Sequence, residues 1–85
     1  MSIDTTLAQR QQTHGDFSSN AEASQMLKRT VLAYTTQKLS VVQLEALDNI
    51  CQKIARIITG NPNHSDSWHD IAGYATLAED SIDHP

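Results

Sequence analysis

Apolar residues recur at helical spacing along most of the chain, and no segment shows the sustained alternation typical of a β-strand. The periodicity predicts three main helices, at about 19–34, 40–59 and from 65–67 to about 80. A shorter helix is predicted near 4–13, before a break at His14, Gly15 and Asp16. The chain is therefore predicted to be all-α, a small bundle of three main helices and a short N-terminal one.

Local signals define the ends of the 40–59 helix. Ser40 and Gln43 have the spacing of a capping box, in which each side chain accepts the other residue's free backbone N–H. Gly60 is suited to a left-handed C-terminal cap, and Pro62 prevents the helix from continuing. This helix is the best defined element in the sequence.

The 40–59 helix also carries an unusually wide apolar arc. The arc covers about 160° at 100° per residue, which is more than one neighbouring helix can bury. We therefore expect this helix to lie at the centre of the bundle or in a dimer seam. Burial is also expected for Phe17 and for the stripes of the two neighbouring helices. The arc and stripes comprise Leu44, Leu47, Ile50, Cys51, Ile54, Ala55, Ile57 and Ile58; Ala23, Met26, Leu27 and Val31; and Trp68, Ile71, Tyr74, Ala75 and Ala78.

The length of 85 residues predicts one domain over 1–85, with 1–10 and 81–85 frayed. So short a chain buries only about 60% of its unfolded surface, so we expect a homodimer or a higher homo-oligomer. The single cysteine, Cys51, excludes an internal disulfide and is expected to be a packed, inert thiol in a reducing compartment.

The charge balance narrows the class of partner. The formal net charge is −4 and the six lysines and arginines form no run, which argues against direct nucleic-acid binding through a broad basic surface. No segment has the apolar length of a signal peptide or of a membrane span. We expect a protein of the bacterial cytoplasm with no membrane association.

Two sets of charges are predicted to meet between the last two helices. Lys53 and Arg56 are three residues apart on one helix, whereas Asp66, Asp70 and Tyr74 follow one another at one-turn spacing on the next. The short connection at 60–63 makes the helices antiparallel neighbours, so the cations should face the carboxylates. Spacing alone favours an ion-pair network that fixes the register of the hairpin. The alternative is a pocket in which the cations hold a phosphate and the aspartates hold Mg²⁺ or orient water.

The other polar residues have simpler structural explanations. Asp16 can cap the helix that follows Gly15, and Asn20 can form a hydrogen bond across the bundle. The histidines do not predict a metal site, because His64 and His69 are five residues apart and no His-x-x-x-His or cysteine pair exists. Phosphate-binding glycine loops and catalytic triad signatures are also absent from the sequence.

Several short motifs resemble a known group of sequences. They are Gly15-Asp16-Phe17 with Asn20, Lys53-Ile54-x-Arg56-Ile57, Gly60-Asn61-Pro62, and Asp66-Ser67-Trp68 leading into Asp70-Ile71-Ala72-Gly73-Tyr74. Together they resemble a family of phage and prophage proteins classed as a domain of unknown function. More distantly, the order of the motifs is similar to that of nucleotide-modification-associated domains and of MazG-like, all-α nucleotide pyrophosphohydrolases.

The resemblance implies a MazG-like helical fold and a nucleotide or phosphate ligand. With the spacing argument, it gives seven candidate ligand-binding residues: Asp16, Asn20, Lys53, Arg56, Asp66, Asp70 and Tyr74. MazG-like hydrolases hold Mg²⁺ with a Glu-Glu-x-x-Glu motif followed by Glu-x-x-Asp. Only Glu45 and Asp48 approach the second motif here, and Lys53 and Arg56 stand where acids would be needed. No cofactor is therefore predicted, except Mg²⁺ if the protein is an enzyme.

Three functions remain open at this point. The first is a phage accessory protein that binds a nucleotide or phosphate ligand without established catalysis. The second is a metal-dependent nucleotide pyrophosphohydrolase with a rearranged set of acids, which would require Mg²⁺ or Mn²⁺. The third is a small acidic protein that binds and inhibits a host defence or replication factor, since such targets often present basic grooves.

Overall fold

The computed structural model describes residues 3, 6–9 and 15–83, and these residues are almost all helical. The three long helices are α1 (Phe17–Tyr34), α2 (Val41–Thr59) and α3 (Ser65–Asp83). Ile3 and residues 6–9 are also helical and fall within or beside the predicted 4–13 helix, whose end and the break at His14 lie outside the described residues. No strand occurs in the described part of the chain, so the all-α prediction is confirmed. None of its helices combines the length and apolarity that crossing a bilayer requires.

Helix α1 begins at the cap that the sequence indicates. The Asp16 carboxylate accepts hydrogen bonds from the Ser19 backbone N–H at 3.1 Å and from the Ser19 hydroxyl at 3.2 Å. Because Asp16 satisfies a free N–H of the first turn, the helix starts at Phe17, two residues before its predicted beginning. The capping role of Asp16 is confirmed.

Helix α2 has its predicted capping box. The Ser40 hydroxyl accepts the Gln43 N–H at 3.0 Å, and the Gln43 side chain accepts the Ser40 N–H at 2.9 Å. At the other end the Gly60 N–H donates to the Arg56 carbonyl at 3.0 Å. Gly60 nevertheless has φ −125°, so the prediction of a left-handed cap there is wrong. The chain leaves α2 in this conformation and enters the Asn61-Pro62 turn directly.

The connection from α2 to α3 is held by its own side chains. The Asn61 side-chain oxygen accepts the Asn63 N–H at 2.9 Å, and the Trp68 indole N–H donates to the Pro62 carbonyl at 2.8 Å. The indole therefore joins the first turn of α3 to the loop that precedes it. Helix α3 continues to Asp83, three residues beyond its predicted end.

Helix α2 is the shared partner of the other two. It packs against α1 on one side and against α3 on the other, whereas α1 and α3 do not contact each other in the described structure. The predicted helical bundle is therefore present, as an open row in which α2 is the shared neighbour of α1 and α3. The Cα radius of gyration of the chain is 14.6 Å, compared with about 12 Å for a compact chain of this length. The central position predicted for α2 is confirmed.

Five of the six residues that are buried in the described part of the chain have small side chains. The buried residues are Ser24, Ala46, Cys51, Ala55, Ile57 and Ser67, and no large side chain of the described residues is fully buried. Small residues at the contacts allow the helix axes to approach closely, but they remove little apolar surface from water. The fold therefore leaves much apolar surface exposed.

Several predictions of burial are wrong for this reason. Phe17 was expected in the core but is 81% exposed, and Met26, Ile58, Trp68 and Ala75 are exposed as well. A closed bundle would cover both sides of each stripe. In the open row α1 and α3 each have only α2 as a neighbour, so one edge of each stripe remains in contact with solvent.

Gly15 joins the beginning of α1 to the end of α2. Its φ is +81°, and a Cβ atom added there would lie 2.0 Å from the Thr59 carbonyl oxygen and 2.6 Å from its carbon. A backbone carbonyl cannot move away as a flexible side chain can. Gly15 is therefore needed both for its left-handed conformation and for this close approach.

We expect Gly15→Ala to destabilise the protein by about 1–3 kcal/mol, because the methyl group meets the Thr59 carbonyl and the left-handed conformation disfavours a Cβ. Gly73→Ala is the matched control, since Gly73 lies within α3 and no atom would come within 4 Å of the added methyl. That substitution should stabilise by about 0.5–1 kcal/mol through helix propensity. Urea unfolding of both variants measures the difference, and equal effects would contradict the close packing at Gly15.

Candidate functional site

A polar cleft of about 240 Å³ lies between α1 and α2. Turn-spaced residues of α1 form one wall, and two α2 residues one turn apart form the other. The lining residues are Phe17, Asn20, Ala21, Ser24, Gln25, Lys28, Gln52 and Arg56. We refer to this feature as the α1/α2 cleft.

The charge of the α1/α2 cleft is opposite to that of the whole chain. Lys28 and Arg56 are its two ionised residues, and no carboxylate is among the residues that line it, although the chain as a whole carries a net charge of −4. Asn20, Gln25 and Gln52 add side-chain amides, which can donate two hydrogen bonds each. The arrangement is suited to an anion that accepts several hydrogen bonds.

Phe17 lies at the rim of the cleft, in the first turn of α1. Its ring is largely exposed, although an aromatic side chain in a small domain is normally among its most buried groups. An exposed ring beside two cations and three amides offers an apolar surface against which a planar group can stack.

Lys53 and Asp70 form the ion pair that the helix spacing predicts. The Lys53 Nζ atom lies 2.9 Å from Asp70 Oδ2, with the side chains 14% and 42% exposed. The hydrogen bond from Lys53 is the main cause of the lowered pKa of Asp70. Desolvation raises this pKa to a smaller extent, and the charges of Lys53, His69 and Arg56 lower it further. The pair therefore joins α2 to α3. In the alternative hypothesis Lys53 would hold a phosphate, but its charge is already neutralised by Asp70.

Asp66 does not join this network. Its carboxylate is 80% exposed and lies 3.6 Å from the His64 imidazole, and no ion pair to Lys53 or Arg56 is present among the described residues. Asp66 lies in the first turn of α3, where a negative charge interacts favourably with the free backbone N–H groups. The prediction that both aspartates face both cations is therefore correct only for the pair of Asp70 with Lys53.

The remaining predicted site residues separate into different places. Asp16 is occupied as the cap of α1, whereas Asn20 and Arg56 line the α1/α2 cleft. Tyr74 is half-buried between α2 and α3, where it lines a separate groove of about 270 Å³ with Leu77 and Glu45. The seven residues thus do not form a single pocket.

Sequence reasoning missed Lys28, Gln25, Gln52 and the exposure of Phe17. A usable signal was present, because Ser24 and Lys28 are one turn apart on α1, as are Gln52 and Arg56 on α2. The six-residue connection between α1 and α2 makes these two pairs face each other in an antiparallel arrangement. Most of the charged motifs lie in the α2–α3 hairpin, and the sequence prediction therefore did not include this pairing.

Cys51 is a packed thiol, as predicted. It is buried in α2, and its pKa is raised first by burial and then by the charge of Asp48, with a smaller lowering effect of Lys28. A thiol with a raised pKa is protonated near neutral pH and is a poor nucleophile.

The acids of the described residues do not assemble a metal centre. No group of three or more His, Cys, Asp or Glu side chains there could hold a metal ion. The Glu45 carboxylate accepts a hydrogen bond from the Asn49 side chain at 3.1 Å, within its own helix. Among the described residues, Glu45 and Asp48 therefore gain no third acidic ligand.

The fold and the cleft define a small all-α domain in which a central helix carries a cationic cleft on one side. Residues 3–82 match the family described as "Domain of unknown function (DUF6378)", and the chain belongs to that family. No curated protein and no solved structure matches the chain. The family match covers the cleft and all three long helices except Asp83, the last residue of α3.

We expect Asp70→Asn and Lys53→Met each to lower the melting temperature, because each substitution leaves the other member of the pair without its partner. The double variant should lose less than the sum of the single losses, since the shared interaction can be lost only once. Asp80→Asn is the matched control, because it makes the same change near the exposed end of α3 and should be almost neutral. Additive single losses would contradict a direct interaction.

The ion pair of Lys53 with Asp70 also predicts that the stability of the protein depends on pH. The folded-state pKa of Asp70 is lowered, so its contribution is present in full above the ordinary carboxyl pKa of about 4 and is lost as the pH falls through the lowered value. The difference in melting temperature between wild type and Asp70→Asn should therefore be constant from about pH 6 to pH 8 and disappear in acid. A difference that persists at the lowest pH would exclude the ion pair as its source.

Proposed function

We propose that the α1/α2 cleft binds the phosphate groups of a small ligand of the nucleotide class. The observation that carries this proposal is the presence of two cations and three amides in one cleft with no carboxylate in its lining. In the described part of the chain, no carboxylate lies within ion-pair distance of Arg56. A guanidinium group can hold two phosphate oxygens in its planar fork, and Lys28 adds a second positive charge.

The size of the cleft favours the phosphate part of the ligand as its occupant. Its volume of about 240 Å³ lies below the roughly 300–1,000 Å³ typical of pockets that enclose a drug-sized molecule. A nucleoside would therefore extend beyond the polar walls toward the rim. Phe17 lies at that rim with its ring exposed, so it offers a stacking surface for the base.

The proposal also includes the protein's biological role. Family motifs are found on both sides of the cleft, with Phe17 and Asn20 on α1 and Arg56 on α2. They support a role as a phage or prophage accessory protein of MazG-like fold that binds a nucleotide without hydrolysing it. Hydrolysis is the alternative, and it predicts Mg²⁺-dependent release of pyrophosphate that Glu45→Gln and Asp48→Asn abolish.

We expect Arg56→Met to weaken the binding of a nucleoside triphosphate by about 1.5–3 kcal/mol, roughly tenfold to a hundredfold, because charged hydrogen bonds to phosphate are lost. Lys28→Met should have an effect in the same direction. Arg29→Met is the matched control, since Arg29 is exposed and lies 100° further round α1 than Lys28. Isothermal titration calorimetry at fixed ionic strength measures the affinities. Equal losses in Arg56→Met and Arg29→Met would contradict binding in the cleft.

The Phe17→Ala variant distinguishes binding of the base from binding of the phosphates. The variant should bind the nucleoside triphosphate about 1–3 kcal/mol more weakly through lost stacking, yet bind inorganic pyrophosphate as wild type does. The same titration with both ligands tests the two halves of the site in one variant. Equal weakening of both ligands would show that Phe17 supports the cleft and does not stack on a base.

A further inference from the structure

One side of the α2–α3 pair is largely apolar, and Gln43 is the polar residue in the groove that runs along it. Its members are Leu47, Ile50, Ile54 and Ile58 of α2 and Ala75 and Ile82 of α3, which we call the apolar face. Ile58 and Ile82 are exposed, and a groove of about 320 Å³ lined by no charged residue runs between the two helices along this face. Scattered exposed apolar residues are normal, whereas a continuous apolar face marks an interaction surface.

The apolar face is distinct from the α1/α2 cleft. At 100° per residue, Arg56 and Ile54 point about 160° apart around α2, as do Gln52 and Ile50. Leu77 lies on the cleft side of the α2–α3 pair, where it lines the groove that contains Glu45 and Asn49. A molecule that covers the apolar face therefore leaves the cleft open.

The chain exposes more surface than a compact monomer would. Its accessible surface is 6286 Å², compared with about 5,000 Å² for a compact monomer of this mass. The excess over the whole chain is about 1,300 Å², and a standard interface buries roughly 800 Å² on each partner. Ile58 and Ile82 of the apolar face contribute to this exposed surface.

We propose that a second copy of this chain covers the apolar face, so that the two faces pack against each other about a two-fold axis. A face of this composition is self-complementary, because apolar side chains meet their own kind and no charged residue lines the groove at its centre. A charged or polar partner would gain nothing from it. The dimer buries the open side of α2 that its own chain leaves uncovered.

Substitutions on opposite sides of α2 and α3 test the proposal. Ile58 is 65% exposed on the apolar face, and Leu77 is 61% exposed on the other side, so Ile58→Lys and Leu77→Lys disturb the isolated protomer to a similar degree. Light scattering after size-exclusion chromatography should give twice the 9.4 kDa protomer mass for wild type and Leu77→Lys, and the protomer mass for Ile58→Lys. A wild-type monomer at every concentration, or any other pattern of dissociation, overturns the proposal.

The single tryptophan provides a test that needs no variant. Trp68 is exposed and precedes Ala75 by two helical turns, so it lies along the edge of the apolar face. Dilution of the wild-type protein through the dimer dissociation range should shift its emission to longer wavelength and increase its quenching by acrylamide. An emission spectrum that stays constant while light scattering reports a change in mass would place the interface elsewhere and overturn the proposal.

Discussion

The packing of α2 between α1 and α3 through small side chains is the constraint on which the rest of this structure depends. Ala46, Cys51 and Ala55 allow close contact on both sides of α2, and Ser24 and Ser67 do the same from the neighbouring helices. Since α1 and α3 do not contact each other, neither can hold its position without α2. The capping box at Ser40 therefore supports all three helices, because it secures the one on which both others pack.

The polar and apolar functions of α2 are separated around its axis. Gln52, Lys53 and Arg56 lie on one side, where they meet the α1/α2 cleft and the Asp70 carboxylate. Ile54 and Ile58 lie on the other side. A helix with neighbours on only two sides has two free edges, and the sequence makes one of them polar and the other apolar. The proposed ligand and the proposed second copy can therefore bind without competing for surface.

The two cations of the Lys53-Ile54-x-Arg56 motif have different duties despite their spacing of three residues. Lys53 is largely covered and forms an ion pair with Asp70, so its charge is used to join α2 to α3. Arg56 points toward α1 and lines the cleft beside Asn20. The 60° between them around the helix axis directs one side chain to each neighbour. The two cations of one sequence motif thus have different roles: Lys53 stabilises the fold, and Arg56 belongs to the proposed binding site.

Much of the local structure follows from the sequence alone. Apolar periodicity identified the three long helices, and the Asp16 cap and the Ser40–Gln43 capping box occur as predicted, because caps depend on residues three positions apart. The pair of Lys53 with Asp70 also follows, since a short loop brings two known helix faces together. The exposure of Phe17 and the separation of Asp66 from the network do not. Asp66 lies at the beginning of α3 beside His64, and turn spacing does not determine how far an ion-pair network extends along a helix. The exposure of Phe17 depends on the absence of contact between α1 and α3, because periodicity determines which face of a helix is apolar but not which other helix will cover it.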